Sequence, residues 1–243
     1  EEEIRNCTVS LLQRRGIKPD GLTVNMPDCD CLPQTSDIRV RFSPRHDSHL
    51  VVLTVAPFRT DGANCALEAN GASTHTRYAA DTSIVPDETT GRDARKITLA
   101  RKRFELVLDS EVADNVVSLP LARVRRDGAG RLIFDPEYIP PCLQIGASER
   151  LMELLRRLIE ILDAKSDAMA ERRQPNQRSI AGYAGHEVAS FWFLHAIHSS
   201  VAALRHQFHT RQVRPEQLYT DMGRLAGSLC TFAVDSHPRE LPL

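Results

Sequence analysis

Between His186 and His209 the stretch HEVASFWFLHAIHSSVAALRHQFH carries five of the chain's nine histidines. A helix that repeats imidazole every three or four residues can aim two rings at one ion, so a metal centre is the first chemistry to test. The zinc-peptidase arrangement needs two histidines four apart with a glutamate between them, which lets the carboxylate activate a metal-bound water. Here His186 and Glu187 are followed by Ser190 where the second histidine would stand. His195 and His198 are three apart, as are His206 and His209, but more than two helical turns separate the pairs. Glu187 is the only acid from His186 to His209, so no other carboxylate in the segment can complete a site or orient a ring. The spacing predicts partly buried polar contacts within a helix assembly and no metal site. The alternative is a metal-dependent hydrolase that draws its other ligands from distant loops.

Other chemical signals are weaker. Cys29 and Cys31 flank Asp30 with no second cysteine pair, so neither a redox pair nor a zinc knuckle can be written. Asp28, Asp30 and Asp37 lack the ligand ladder of a calcium loop. The glycine turns ANGAS and RDGAGR lack the Lys-Ser/Thr pair of a phosphate cradle, and no Gly-x-Ser-x-Gly occurs. Asp87 and Glu88 are adjacent, so their side chains diverge on an extended chain, and DETTGRDARKI reads as a structured, partner-facing loop. No catalytic, cofactor-binding or metal-ligating residue is assigned, and no enzyme activity or cofactor is expected.

The elements that position these residues follow from composition and periodicity. With 243 residues, 42% of them hydrophobic and 26% charged, the chain can bury one large core or two modest ones. A formal net charge of -1 gives no general attraction to phosphate, and the arginine-rich pieces Arg123 to Arg131 and Arg150 to Arg157 alternate with acids or apolar residues. Nucleic acid is not an expected partner. No apolar run is long enough to span a bilayer, and EEEIRNCTVSLLQRRG has neither the basic start nor the apolar stretch of a signal peptide, so the expected location is cytoplasmic. Cys7, Cys29, Cys31, Cys65, Cys142 and Cys230 are spread over differently built regions and read as free thiols.

The pattern changes near Pro140 and Pro141. Before them come short alternating or apolar runs: CTVSL, KPDGLTV with its Asp-Gly turn, and IRVRF with Ile38, Val40 and Phe42 on one side. LVVLTVAPF is apolar enough for a central strand, and ITLARKRFELVL, VSLPLARVRR and the hairpin into RLIFD follow. The stretch from GANCALEANG to GRDA reads as a long excursion with one short paired segment. Without long helices between strands, an antiparallel β-sandwich or barrel-like sheet fits better than a parallel α/β fold.

After Pro141 the period approaches four. Ser148 can cap a helix with Glu149 in its first turn, and Leu151, Leu154, Leu155, Leu158, Ile161, Leu162 and Met169 make a broad apolar face. RQPNQRS ends it, a second helix runs from about Gly185 to Arg211, and a third opens at Pro215 with Glu216, Pro238 and Pro242 marking its end. Three such helices must cover their faces on each other, on a fourth helix, or on a second copy. The candidate interface comprises the six positions from Leu151 to Leu162 (151, 154, 155, 158, 161 and 162), then Phe191, Trp192, His195, Leu218 and Leu225. Arg150, Arg156 and Arg157 are candidate helix-surface contacts or solvated positions.

An ordered series of words carries a resemblance: PDG, ADTSIVPDETTG, ITLARKRFELVL, VSLPLARVRR, DPEYIPPCLQIGAS, RLMELLRRL, RPEQLYTDMGRLAGSLCTF and HPRELPL. From about Leu11 to Leu243 the chain resembles the TssK (ImpJ/VasE) family of type VI secretion baseplate components. The resemblance implies an N-terminal β-sandwich shoulder over 1–145, a helical trimerisation domain over 146–243, and a small C-terminal head. It implies a homotrimer whose shoulder meets the baseplate wedge of TssF, TssG and TssE. The head would meet TssL and TssM at the cytoplasmic side of the inner-membrane complex. Relative to that family the chain reads as truncated, without the entry segment before the first strand and without the head.

Overall fold

The computed structural model describes residues 4, 6–43, 46–66, 76–171, 185–233 and 235–242. The chain divides into two compact units, Glu1–Pro141 and Cys142–Leu243.

In the first unit the longest apolar run becomes its central strand. β1 (Thr8–Val9), β2 (Arg14–Ile17), β3 (Thr23–Met26), β4 (Ser36–Asp37) and β5 (Ser48–Val55) come first. β6 (Cys65–Ala66), β7 (Tyr78–Val85), β8 (Arg95–Lys102), β9 (Glu105–Leu108), β10 (Val117–Arg126) and β11 (Leu132–Phe134) follow. A four-stranded antiparallel sheet has the order β11-β10-β5-β9. β5 lies inside it and is buried on both faces, which is why its sequence is apolar without alternation. Pro120, inside β10, sits at a register shift against β5, and β11 covers only Val124 to Arg126 on the other side. The Asp20-Gly21 turn, with Gly21 at φ 84°, closes the β2-β3 hairpin.

Two stretches differ from their sequence patterns. IRVRF is not a strand: Phe42 N–H donates to the Ile38 carbonyl at 2.9 Å, a helical turn started by Asp37 Oδ1 accepting from Arg39 N–H. Ile38 and Phe42 are buried four residues apart, whereas Val40 is 92% exposed. Three alternating apolar residues fit a strand, but burial of only the outer two fits a turn. The expected excursion after β5 holds the long β7-β8 hairpin, paired from Tyr78↔Lys102 to Val85↔Arg95, with its tip held by Asp87. β6 pairs β7 in parallel, the exception to the antiparallel expectation; residues 67–75 of that stretch lie outside the described residues.

The second unit contains α1 (Glu149–Glu171), α2 (Gly185–Thr210) and α3 (Pro215–Cys230). Ser148 Oγ accepts from Leu151 N–H at 3.3 Å, the expected cap, and Pro215 opens α3. α3 stops at Cys230, ahead of Pro238, which instead opens a short 3-10 turn. RQPNQRS lies outside the described residues. Before α1, Ile145 N–H donates to Val213 O and Gly146 N–H to Arg211 O, each at 2.9 Å. These bonds clamp the entry of the unit to the α2-α3 connection. A Cβ on Gly146 would fall 2.8 Å from both Arg211 Cβ and its carbonyl oxygen, so this close approach requires glycine.

Candidate functional site

The residues expected to form one helical interface divide into two sets. Leu155 and Leu162 of α1, with relative exposures of 0% and 5%, meet Ile197 and Leu204 of α2 and Leu218 and Leu225 of α3 in one core. Leu151 and Leu158 pack against it half-buried. These positions pack within the chain. Leu154, 37% exposed, and Ile161, 56% exposed, are seven residues apart on one flank of α1 and remain uncovered. On α2 the row Val188, Trp192, His195 and Ser199 is exposed, with Trp192 at 54%; Phe191 is half-buried. The Trp192 ring meets the rings of Phe191 and His195 edge-on, with centroids 5.7 and 5.6 Å away. One pattern in the sequence thus serves two faces because a stripe wider than two turns' worth of a/d positions wraps past the intrachain contact.

The histidines lie on the outside of this unit. In the single chain His195, His198, His206 and His209 are all exposed; the side chain of His186 lies outside the described residues. His198 Nε2 is 2.7 Å from Ser166 Oγ, a tie between α2 and α1. Among the described residues no three His, Cys, Asp or Glu side chains gather where a metal ion could sit. All six cysteines are free thiols.

The polar tie inside the helical unit comes from residues that the sequence did not single out. Gln207, 6% exposed, donates through Nε2 to Asp221 Oδ2 at 2.5 Å, and Gln217 donates to the same oxygen at 3.0 Å. Arg224 Nη1 donates to Asp221 Oδ1 at 3.0 Å, so one carboxylate joins α2 to α3. A glutamine on the inner face of an apolar helix is the only sequence sign of such a tie.

Buried charge is concentrated in the first unit. Lys18, 2% exposed, donates to the Leu53 and Val117 carbonyls at 2.7 and 3.0 Å, fastening the β2-β3 turn to β5 and β10. Burial pushes its ammonium down to about 8, against the opposing pull of Asp20. Arg77, 4% exposed, lies 2.6 Å from Asp20 and donates to the Ala56 carbonyl at 3.1 Å. Burial alone would raise the Asp20 carboxyl, but the Arg77 bond and the Leu22 N–H outweigh it and hold the group below its ordinary range. These are structural ties.

Comparison with known proteins gives these faces a context. The family described as Bacterial Type VI secretion, VC_A0110, EvfL, ImpJ, VasE matches residues 1–243. The type VI secretion system baseplate component TssK1 of Pseudomonas aeruginosa is 29% identical over 238 residues, 97% of this chain. The chain spans about half, 52%, of that curated relative's length. Among solved structures, a chain of the baseplate complex from the type VI secretion system superimposes with a TM-score of 0.86 at 24% identity, covering 100% of this chain and 77% of that one. A chain of the TssK-TssF-TssG baseplate subcomplex gives 0.83 at 23%, covering 99% and 75%. The arrangement of mixed sheets followed by three helices is therefore the fold of those structures. With its whole length matched by the family, the chain belongs to the TssK (ImpJ/VasE) family of bacterial type VI secretion proteins.

Proposed function

We propose that this chain is a non-enzymatic structural component of a type VI secretion baseplate. The observation that carries this reading is the family match over all of residues 1–243, supported by the baseplate role named for the 29% identical relative. In this reading residues 1–145 form a β-sandwich shoulder that meets the wedge proteins TssF, TssG and TssE. Residues 146–243 form the trimerisation domain. A head beyond them carries contact with TssL and TssM, placing the assembly in the cytoplasm against the inner-membrane complex. Leu154, Ile161, Trp192 and His195 are the positions proposed to meet neighbouring copies, because their surfaces are left over once the intrachain core is complete.

The test separates the two partner classes. Purified residues 1–243 should retain TssF-TssG in a pull-down and leave the cytoplasmic parts of TssL and TssM in the flow-through, with a trimer in sedimentation equilibrium. Retention of TssL or TssM without TssF-TssG would overturn the assignment of surfaces, and a monomer at every concentration would overturn the trimer. No helix among the described residues is long and apolar enough to cross a membrane, so assembly can be followed without detergent.

A further inference from the structure

The geometry points to a docking groove along β11 for an extended, acidic segment of a partner protein. β11 is the outer strand of the four-stranded sheet among the described residues. Arg131 O accepts from Asp127 N–H and Asp135 N–H donates to Arg123 O, each at 2.8 Å, so positions 131, 133 and 135 turn their backbone groups toward β10. By the two-residue alternation of an antiparallel ladder, Leu132 and Phe134 turn N–H and C=O to the open side. That side offers the hydrogen-bonding template that strand addition uses.

Two hollows of about 350 and 580 Å³ adjoin this edge, and Ile4, Arg131 and Leu132 line both. Arg125 borders one and Arg39 and Arg126 the other, and among the described residues no carboxylate lines either. Asp135 is shared by Arg123 and Arg125, at 3.4 and 3.6 Å, and Asp127 holds Arg131 at 2.8 Å. Arg39 donates to the Asn6 carbonyl; Arg126 donates to the Gly130 carbonyl and lies 4.8 Å from the centre of the Phe42 ring. Neither forms an ion pair among the described residues. Arg125 and Arg126 are consecutive on β10 and therefore lie on opposite faces of the sheet. An added strand would meet arginine on both faces, so two consecutive acids, one per face, match the groove. Exposed Phe134 supplies an apolar neighbour. Among the described residues this is a local excess of positive charge, produced by bringing Arg39 beside a hairpin far along the sequence. The inference does not rest on the baseplate reading.

The probe is a blocked, fluorescein-labelled peptide Thr-Val-Glu-Glu-Val-Thr, followed by anisotropy against the chain. Binding should weaken by about tenfold or more when both acids become glutamine, and similarly in Arg125→Gln and, independently, in Arg39→Gln. Saturation with the peptide should slow hydrogen exchange at the Leu132 and Phe134 amides. Equal binding of the glutamine peptide, or unchanged exchange at those two amides, overturns the inference. So does self-association that both variants abolish while the peptide fails to bind, since a second copy would then fill the groove. Binding of anionic phospholipid vesicles in place of the peptide overturns it as well.

Discussion

The two units are held together by different means. The helical unit has one continuous core of leucine and isoleucine from three helices, and its charged pairs, such as Arg156 with Glu160 and Arg205 with Asp163, lie at its surface. Among the described residues the strand-rich unit is divided among four small sheets and two clusters, one around Val51 and Val124 and one around Met26 and Leu53. Its short strands, several of two to four residues, cannot complete a continuous apolar layer. Buried Lys18, Arg77 and His49 bridge the gaps by bonding to carbonyls or carboxylates. The difference teaches that helices long enough to wrap a core close it almost wholly with apolar side chains, whereas short strands bring buried charged groups in to close theirs.

The sharpest way to break this comparison is to place one charge on either side of the α1 stripe. Leu155→Asp buries a carboxylate at a position with 0% exposure and should cost on the order of 5 kcal/mol, unfolding the helical unit. Trp192 is the chain's single tryptophan and sits on α2, so its fluorescence reports that loss directly. Ile161→Asp, six residues on, should change the stability of the chain by less than about 0.5 kcal/mol while abolishing its association in sedimentation. Equal effects of the two substitutions would remove the distinction between the inner and outer faces.

The buried charge of the strand-rich unit predicts a dependence of its stability on pH. Lys18 has its folded value lowered from 10.5 to about 8, so between those values the unfolded chain binds more protons than the folded one. Stability contributed at this site therefore rises as pH climbs from 8 to 10.5, by about 3 kcal/mol in all, and below pH 8 charge burial is a constant cost. Lys18→Met should flatten that rise. Hydrogen exchange of β5 amides at pH 7.5 and 10 in both proteins measures it, and an unchanged difference between them would remove Lys18 as the cause.

Legibility in the sequence followed the same division. The cap at Ser148, Pro215 at the start of α3, and strands β5 and β10 were readable because each is decided by residues adjacent in the chain. The helical turn at Ile38 to Phe42 was not, since its apolar spacing satisfies both periods and only the exposure of Val40 decides between them. Nothing beside Lys18 in KPDGLTV marks it as buried; its burial depends on the carbonyls of Leu53 and Val117, far along the chain. Apolar type marks both Leu155 and Ile161, and only the packing of α2 against α1 tells the buried position from the exposed one. The arginine groove was hidden for a related reason, because Arg39 joins Arg125 and Arg126 only through the fold.

A smaller effect sharpens the comparison at the entrance of the helical unit. Gly146→Ala drives a methyl group against the Arg211 carbonyl and should cost about 1–3 kcal/mol, read from the Trp192 transition in urea. Gly223→Ala, in α3 with open space around its Cα, should instead be neutral or stabilising by up to about 1 kcal/mol through helix propensity. If both variants shift the midpoint in the same direction, the clamp between Gly146 and Arg211 is not what holds the α2-α3 connection.

The smallest effect belongs to the charged outer surface of α1. Arg156 donates to Glu160 Oε1 at 2.9 Å, four residues on, with side chains 56% and 59% exposed. Water screens such a pair, and fixing two long side chains costs entropy, so the bond stabilises the helix by no more than about 0.5 kcal/mol. Arg156→Ala also gains helix propensity, which offsets little because arginine is itself a good helix former. The expected shift of the urea midpoint is therefore close to the error of measurement, and it should vanish in 1 M salt. A loss above about 1 kcal/mol would place Arg156 in a buried contact and move part of the association face from the Leu154-Ile161 flank to the arginine side of α1. Association should then be equally sensitive to salt. If the apolar flank carries it, 1 M salt should leave the sedimentation profile unchanged while Ile161→Asp still collapses it to monomer.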